Sequence, residues 1–458
     1  MDTKPVNDMV PKRILNNLLS SLEAGVVPRS GAPYIAIGRT EEISSLLDNL
    51  DAVADGGAAT RLIIGRYGSG KSFLMQLVRG YALDRDFLTA DADLSPERKL
   101  SGAGGIATYR ELMRNFASKL SPDGGALPSV LARFYDRVKE KLVLDGADPE
   151  SAAFSTDLRA EILHTVSGLE SGVGGFEFAR VLTAYFGALA SDDQERKSAA
   201  LRWLRGEFKT KSEAKAALGL TVGEIIDDTN WYDYLKLWAA LSVRLGYRGL
   251  VVYIDECINL YKITNRISRE SNYEKLLSIF NDTLEGRAAH LAVIFGGTPQ
   301  FLEDTRRGLF SYDALRSRLA DGKFVGAGYR NLSAPVIRLC RLTDNEMLAL
   351  LFRLRKLYTQ KWGATVSVSD EQCVTFLQYE LARAGADELI TPREMIRDFL
   401  SLLNILKDNP GADFHALVRE SAVKLAPQPD GSDAGTALPA GGTPAGTHSI
   451  PSVIDIEI

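Results

Sequence analysis

The spacing of apolar residues gives the chain an alternating strand-and-helix first third, a long helical middle and a helical end. Val10–Ala24 carries Ile14, Leu18, Leu19 and Leu22 at helical spacing, which predicts an amphipathic helix. Ile35–Gly38 leads into Arg39-Thr40-Glu41-Glu42-Ile43, where Thr40 is a capping residue and Leu46, Leu47 and Leu50 continue one helical face. Thr60–Ile64 predicts a short strand that runs into a glycine loop. Ser72–Arg85 then predicts a helix, and Phe87–Ala92 the next strand. From about Tyr109 to Leu245 the pattern is helical, with breaks at Pro122–Pro128, Gly146–Pro149 and Gly172–Gly175. That stretch is far longer than a strand-to-strand crossover, so it predicts a helical insertion. Strand character returns at Leu250–Ile254 and Leu291–Phe295. After Pro335 only helix is expected, ending near Lys424, and Pro427–Ser449 has the Gly, Ala, Pro, Ser and Thr content of a flexible linker.

Short buried-type strands alternating with helices predict an α/β fold built on a parallel sheet. The expected division is an N-terminal helical segment (1–34), a sheet-bearing core (35–108 and 246–334), the insertion (109–245), an all-helical domain (335–425) and a disordered tail (426–458).

Composition changes this picture little. The chain of 458 residues is 45% hydrophobic and 25% charged with a formal net charge of −5, as in an ordinary globular protein. That mild acidity neither suggests nor excludes nucleic acid. Cys257, Cys340 and Cys373 are odd in number and far apart, so neither a zinc spacing nor a disulfide framework is expected, and a reducing cytoplasm fits best. No secretory leader is visible in Met1–Val27, and no stretch approaches the roughly 18 apolar residues of a membrane span. No membrane partner is expected.

The glycine loop carries the clearest chemistry. Gly65-Arg66-Tyr67-Gly68-Ser69-Gly70-Lys71-Ser72 follows the strand Leu62-Ile63-Ile64 and opens a helix. Its glycines let successive backbone N–H groups wrap around phosphates, and the helix adds its positive end. Lys71 would reach the β- and γ-phosphates and Ser72 would ligand Mg²⁺. Leu250-Val251-Val252-Tyr253-Ile254 delivers Asp255 and Glu256 to the carboxyl end of a buried strand, where such sheets hold ligands. Asp255 would hold Mg²⁺ through water, and Glu256 would polarise the attacking water. Cys257 beside them reads as buried filler. Thr298, after the strand Leu291–Phe295, offers a hydroxyl to the γ-phosphate or the lytic water, with a plain turn as the alternative. Arg306, Arg307, Arg316 and Arg318 invite one arginine finger acting across a subunit interface, or else form a solvated helix face. Thr391-Pro392-Arg393-Glu394 has the signals of a capped helix start. Arg393 sits in its first turn, where a cation opposes the helix dipole, which points to a phosphate partner. Arg397 is a weaker candidate.

In this order the motifs resemble those of an AAA+ ATPase of the origin-recognition/initiator type. The resemblance implies an AAA+ P-loop parallel sheet with a helical insertion and a C-terminal all-helical lid domain. Ile37-Gly38-Arg39-Thr40-Glu41-Glu42 is similar to the box that packs on adenine in that clade, which implies nucleotide contacts for Gly38 and Arg39. Thr298 falls at sensor 1, Ser317-Arg318 is similar to the Ser-Arg finger box, and Arg393 matches the sensor 2 arginine. More narrowly, the chain resembles the ATP-binding proteins of BREX-type phage-resistance loci from about Val27 to Val423, on the segments Arg66–Ser72, Tyr253–Glu256, Gly297–Pro299, Arg306–Tyr312 and Thr391–Leu400. That resemblance implies ATP as ligand, a role in bacterial defence, a homo-oligomer and a helicase partner. The long insertion departs from a minimal AAA+ core, so its purpose does not carry over.

Two regions suggest further partners. Arg196, Lys197, Arg202, Arg205, Lys209, Lys211 and Lys215 surround Trp203 and Phe208, a pattern for DNA contact at 196–215 or for a helix with a solvated basic face. Ile450–Ile458 could add a strand to a partner sheet or lie as a frayed tail. The functional expectation is an ATP-hydrolysing oligomer acting on DNA or a helicase partner, with a nucleotide-gated scaffold or switch as the alternative. The sequence holds no second motor domain, which disfavours an autonomous helicase.

Overall fold

The computed structural model describes residues 9–421 apart from 152, 170–171, 323–324, 326–329, 364–367 and 383–389. The expected linker and the strand-like tail, Pro427–Ser449 and Ile450–Ile458, lie outside the described residues. The chain forms two compact units. One takes residues 40–66 and 74–339, the other the residues up to Arg39, Tyr67–Phe73 and the chain from Cys340 onward.

The larger unit is built on five parallel strands: β1 (Ala58–Ile64), β2 (Leu88–Asp93), β3 (Leu250–Asp255), β4 (Leu291–Gly297) and β5 (Val336–Arg338). Their order across the sheet is β2-β3-β4-β1-β5. Every residue of β3 and β4 is buried, so neither strand shows the alternation of a sheet with one wet face. Continuous apolar runs of this kind belong to parallel sheets covered on both sides. Helix α2 (Thr40–Ala54) packs Leu46, Leu47, Leu50 and Val53 against Val251, Ala292 and Ile294. β5 corrects the expectation of helix alone after Pro335. Its three residues are too few to show a period of two, and only pairing of Leu62–Ile64 with Val336–Arg338 makes them a strand.

The helical stretch comprises α4 (Gly105–Arg114), α5 (Leu127–Leu144), α6 (Phe154–Ser167), α7 (Gly175–Ala190), α8 (Gln194–Leu204), α9 (Lys211–Leu218) and α10 (Trp231–Arg244), after α3 (Lys71–Asp84). It shares one hydrophobic core with the sheet through Tyr109, Phe178, Trp203, Trp231 and Trp238. The polar atoms of these large rings are satisfied in place. The Tyr109 hydroxyl donates to Leu204 O (2.8 Å) and accepts from Trp238 Nε1 (3.0 Å), while Trp231 Nε1 donates to Leu100 O (3.1 Å). Burial without such partners would be costly. After β3 come α11 (Ile258–Tyr261) and α12 (Arg266–Leu284), and after β4 come α13 (Pro299–Glu303) and α14 (Asp313–Leu319).

The smaller unit gathers α1 (Lys12–Glu23), α15 (Asp344–Trp362), α16 (Asp370–Ala382), α17 (Pro392–Asp408) and α18 (Phe414–Ser421). Leu15, Leu18, Leu19 and Leu22 of α1 join Leu348, Leu351, Phe399 and Leu403 in its core. Both long C-terminal helices open on a capping box, Thr343 with Glu346 and Thr391 with Glu394. Each box satisfies two N–H groups that a helix start otherwise leaves orphaned. No helix among the described residues is long and apolar enough to cross a membrane.

Candidate nucleotide site

The glycine loop leaves the sheet at the end of β1. Gly65 N–H donates to Gly297 O (3.1 Å), so the loop begins at the carboxyl edge of the adjacent β4. Gly68 and Gly70 take φ values of 72° and 93°, in the left-handed region that a side chain resists. A Cβ on Gly70 would meet nothing within 4 Å, so the space beside it is open. Lys71 and Ser72 begin α3, Lys71 is buried, and its Nζ lies 5.5 Å from the centre of the exposed Tyr67 ring.

Two further contacts of the smaller unit touch this loop. A Cβ on Gly68 would lie 2.5 Å from Thr391 Oγ1, so the cap of α17 rests directly on the loop. Arg393, exposed in the first turn of α17, is two residues from that contact. Arg39 Nη2 donates to Ser69 O (3.3 Å) and to Cys340 O (2.8 Å). Gly38, at φ 70°, has no room for a side chain, because a Cβ would lie 2.4 Å from Glu346 Oε1. Arg39 is buried and spent on backbone carbonyls, which sequence reasoning had not anticipated.

In the larger unit, Asp255 and Glu256 stand at the end of β3. Asp255 Oδ1 accepts from Glu256 N–H (2.8 Å), and Cys257 N–H donates to Gly296 O (3.0 Å). Glu256 has φ 56°, a strained conformation for a residue with a side chain. Gly296 of β4 reserves the space of the Asp255 carboxylate, since a Cβ there would fall 2.2 Å from Oδ1. The buried Cys257 thiol is pushed well above its usual pKa by burial and by Asp255 and Glu256, which makes it a poor nucleophile.

Asp93 was missed; like Asp255 it is an acid closing a strand, but its strand already carries Thr89 and Asp91, which dilutes the apolar run that marked β3. It pairs in register with Asp255 across β2 and β3. Its side chain reaches solvent at the strand end, yet its carboxyl is pushed up to about 6. Crowding out of water is the largest cause, followed by the charges of Asp255, Asp91 and Glu256, with Arg98 opposing.

The remaining candidates fall out unevenly. Thr298 is buried as the cap of α13, its Oγ1 accepting from Phe301 N–H (3.3 Å). Arg307 is held by its own chain: Nη2 donates to Tyr261 O (3.2 Å), and the guanidinium lies 5.2 Å from the Tyr261 ring centre. Arg306, Arg316 and Arg318 are exposed, and Arg318 Nη1 donates to Ala314 O on its own helix (2.9 Å). Base stacking at 196–215 is corrected. Trp203 and Phe208 are buried in the core, drawn there by apolar area that outweighs any surface role. Arg202 covers the Phe208 ring and pairs with Glu207 and Glu213, while Arg196, Lys209, Lys211 and Lys215 stay exposed.

A glycine loop on the first strand of a parallel sheet, an acidic pair closing another strand of that sheet, and an all-helical C-terminal region define a P-loop nucleotide-binding protein with the AAA+ fold. The model of the family described as BREX system ATP-binding protein BrxC/D matches residues 10–422. The chain belongs to that family. No curated protein matches it.

Proposed function

We propose that the protein hydrolyses ATP to ADP and phosphate, and that it works as a homo-oligomer with a helicase partner and DNA in phage defence. Gly65–Ser72 bind the phosphate chain through backbone N–H groups, with Lys71 on the β- and γ-phosphates. Ser72 and Asp255 would hold Mg²⁺, whose chemistry when bound is to neutralise charge on the phosphate oxygens. Glu256 orients the attacking water and accepts its proton. Arg393 joins the C-terminal helices to the γ-phosphate, and Arg318 reaches a neighbour's nucleotide, with its exposure in support. Thr298 keeps a hydroxyl proton to donate while its oxygen caps α13.

The observation that carries hydrolysis is Glu256. It follows Asp255 at the carboxyl end of β3, the end of the parallel sheet from which the glycine loop also leaves β1 and where such sheets hold their ligands. Glu256→Gln is expected to keep binding of a fluorescent ATP analogue while turnover falls by about 100-fold or more. Wild-type turnover in that variant would sink the assignment.

A second reading, a nucleotide-gated scaffold, is favoured by the direct seating of the phosphate loop on Thr391 and Arg39. Turnover that ignores DNA and partner, beside mass that rises only with ATP, would select it.

A further inference from the structure

Arg39 is placed to do more than line a nucleotide pocket. Its Nη2 grips the carbonyl of Ser69, inside the phosphate loop, and the carbonyl of Cys340, just before the C-terminal helices. A trans peptide is planar, with its C=O and the following N–H pointing in opposite directions. Holding Ser69 O toward Arg39 therefore turns Gly70 N–H the other way. Gly70 is the residue beside which a Cβ meets open space and whose φ of 93° requires glycine. Gly38 sets up the grip. Its φ of 70° and its missing side chain let the chain pass under Glu346 and Leu342, which delivers Arg39 to a site where it is only 7% exposed.

We propose that Arg39 is a positioning residue: it aims the Ser69–Gly70 peptide so that the Gly70 N–H faces the phosphates, and through Cys340 O it transmits occupancy of the loop to the start of the C-terminal helical segment. This rests on nucleotide binding by the loop. Both bonds leave one nitrogen, Nη2, whose N–H directions the planar guanidinium fixes at the end of a longer side chain; a lysine ammonium ends a bond short of that point on a freely turning stem.

Cys340 supplies the readout. Cys257 and Cys373 are buried and Cys340 is exposed, so labelling of the native full chain with a chromogenic thiol reagent reports on Cys340. In the wild-type protein, a saturating fluorescent ADP analogue is expected to change the rate of labelling. Arg39→Ala is expected to bind that analogue on the order of tenfold more weakly, the worth of one oriented donor to a charged group, and to label at a rate indifferent to nucleotide. Arg39→Lys keeps the charge and fills most of the space, which makes it the variant that decides should Arg39→Ala not fold. It is expected to lose affinity several-fold and to lose the labelling response. The thermal midpoint of the Lys variant without nucleotide should stay near wild type, which separates positioning from a merely structural role. Wild-type affinity in both variants overturns the proposal. So does a labelling response that persists in either one, or a wild-type protein that binds nucleotide without any change in labelling. A wild-type chain that binds no nucleotide at all overturns the nucleotide-binding reading instead, and this inference with it.

Discussion

Replacing Gly296 with alanine adds one methyl group to β4 at the point where Asp255 leans across from β3. The new Cβ would stand 2.2 Å from Asp255 Oδ1, 2.9 Å from its Cγ and 2.9 Å from Met75 Sδ. The thioether is flexible and yields at little cost. The carboxylate is buried and tied to Glu256 N–H, and it must retreat by roughly an ångström to reach an ordinary contact. Overpacking of this kind costs about 1–3 kcal/mol, and loss of a hydrogen bond to a charged acceptor about 1.5–3 kcal/mol. Partial relaxation makes about 2–4 kcal/mol a fair total, visible as a lower midpoint in urea. On the proposed hydrolysis, displacing the acid by that distance should also cut ATP turnover about 100-fold, since misplacement on this scale has that effect on positioned groups. The double variant Gly296→Ala/Asp255→Ala removes the collision. It should recover stability relative to the sum of the singles, a coupling of about 1–3 kcal/mol between contacting residues. A Gly296→Ala protein with wild-type midpoint and wild-type turnover would refute the idea that this glycine holds space for Asp255.

Other outcomes follow from contacts elsewhere. Thr391→Ala removes the α17 cap and its seat on Gly68, so the melting temperature should fall by the equivalent of about 1 kcal/mol, and an unchanged melt would count against the cap. The buried Arg79 and the half-buried Asp91 form an ion pair at 3.1 Å between α3 and β2. Arg79→Met should cost about 3–5 kcal/mol in chemical denaturation, and Arg79→Met/Asp91→Leu should regain most of it. The raised pKa of Asp93 makes its contribution most favourable below the usual aspartate range, and that contribution is lost as pH rises through about 6. Asp93→Asn, measured with chelator and without nucleotide, should therefore be more stable than wild type at pH 8 and close to it at pH 4. Equal stability at both pH values would show that Asp93 titrates normally.

The glycine loop, the acidic pair and the capping box of α17 were legible because each is a local pattern with a local cause. A glycine at Gly70 permits a left-handed turn whatever surrounds it, and Thr391, Pro392 and Glu394 cap a helix through their own neighbours. The apolar runs of β3 and β4 likewise announced strands covered on both faces. What sequence could not reach depended on partners distant along the chain. Val336–Arg338 is a strand because Leu62–Ile64 lies beside it. Trp203 and Phe208, which read as stacking platforms among basic residues, are core side chains because other helices cover them. Arg39, matched by resemblance to a base contact, is committed to the carbonyls of Ser69 and Cys340, the latter 301 positions away. Periodicity and turn chemistry act over a few residues and so determined the elements and the loop of this protein. Burial and hydrogen-bond pairing are settled only when distant segments meet, and they decided which side chains are core and which stay exposed.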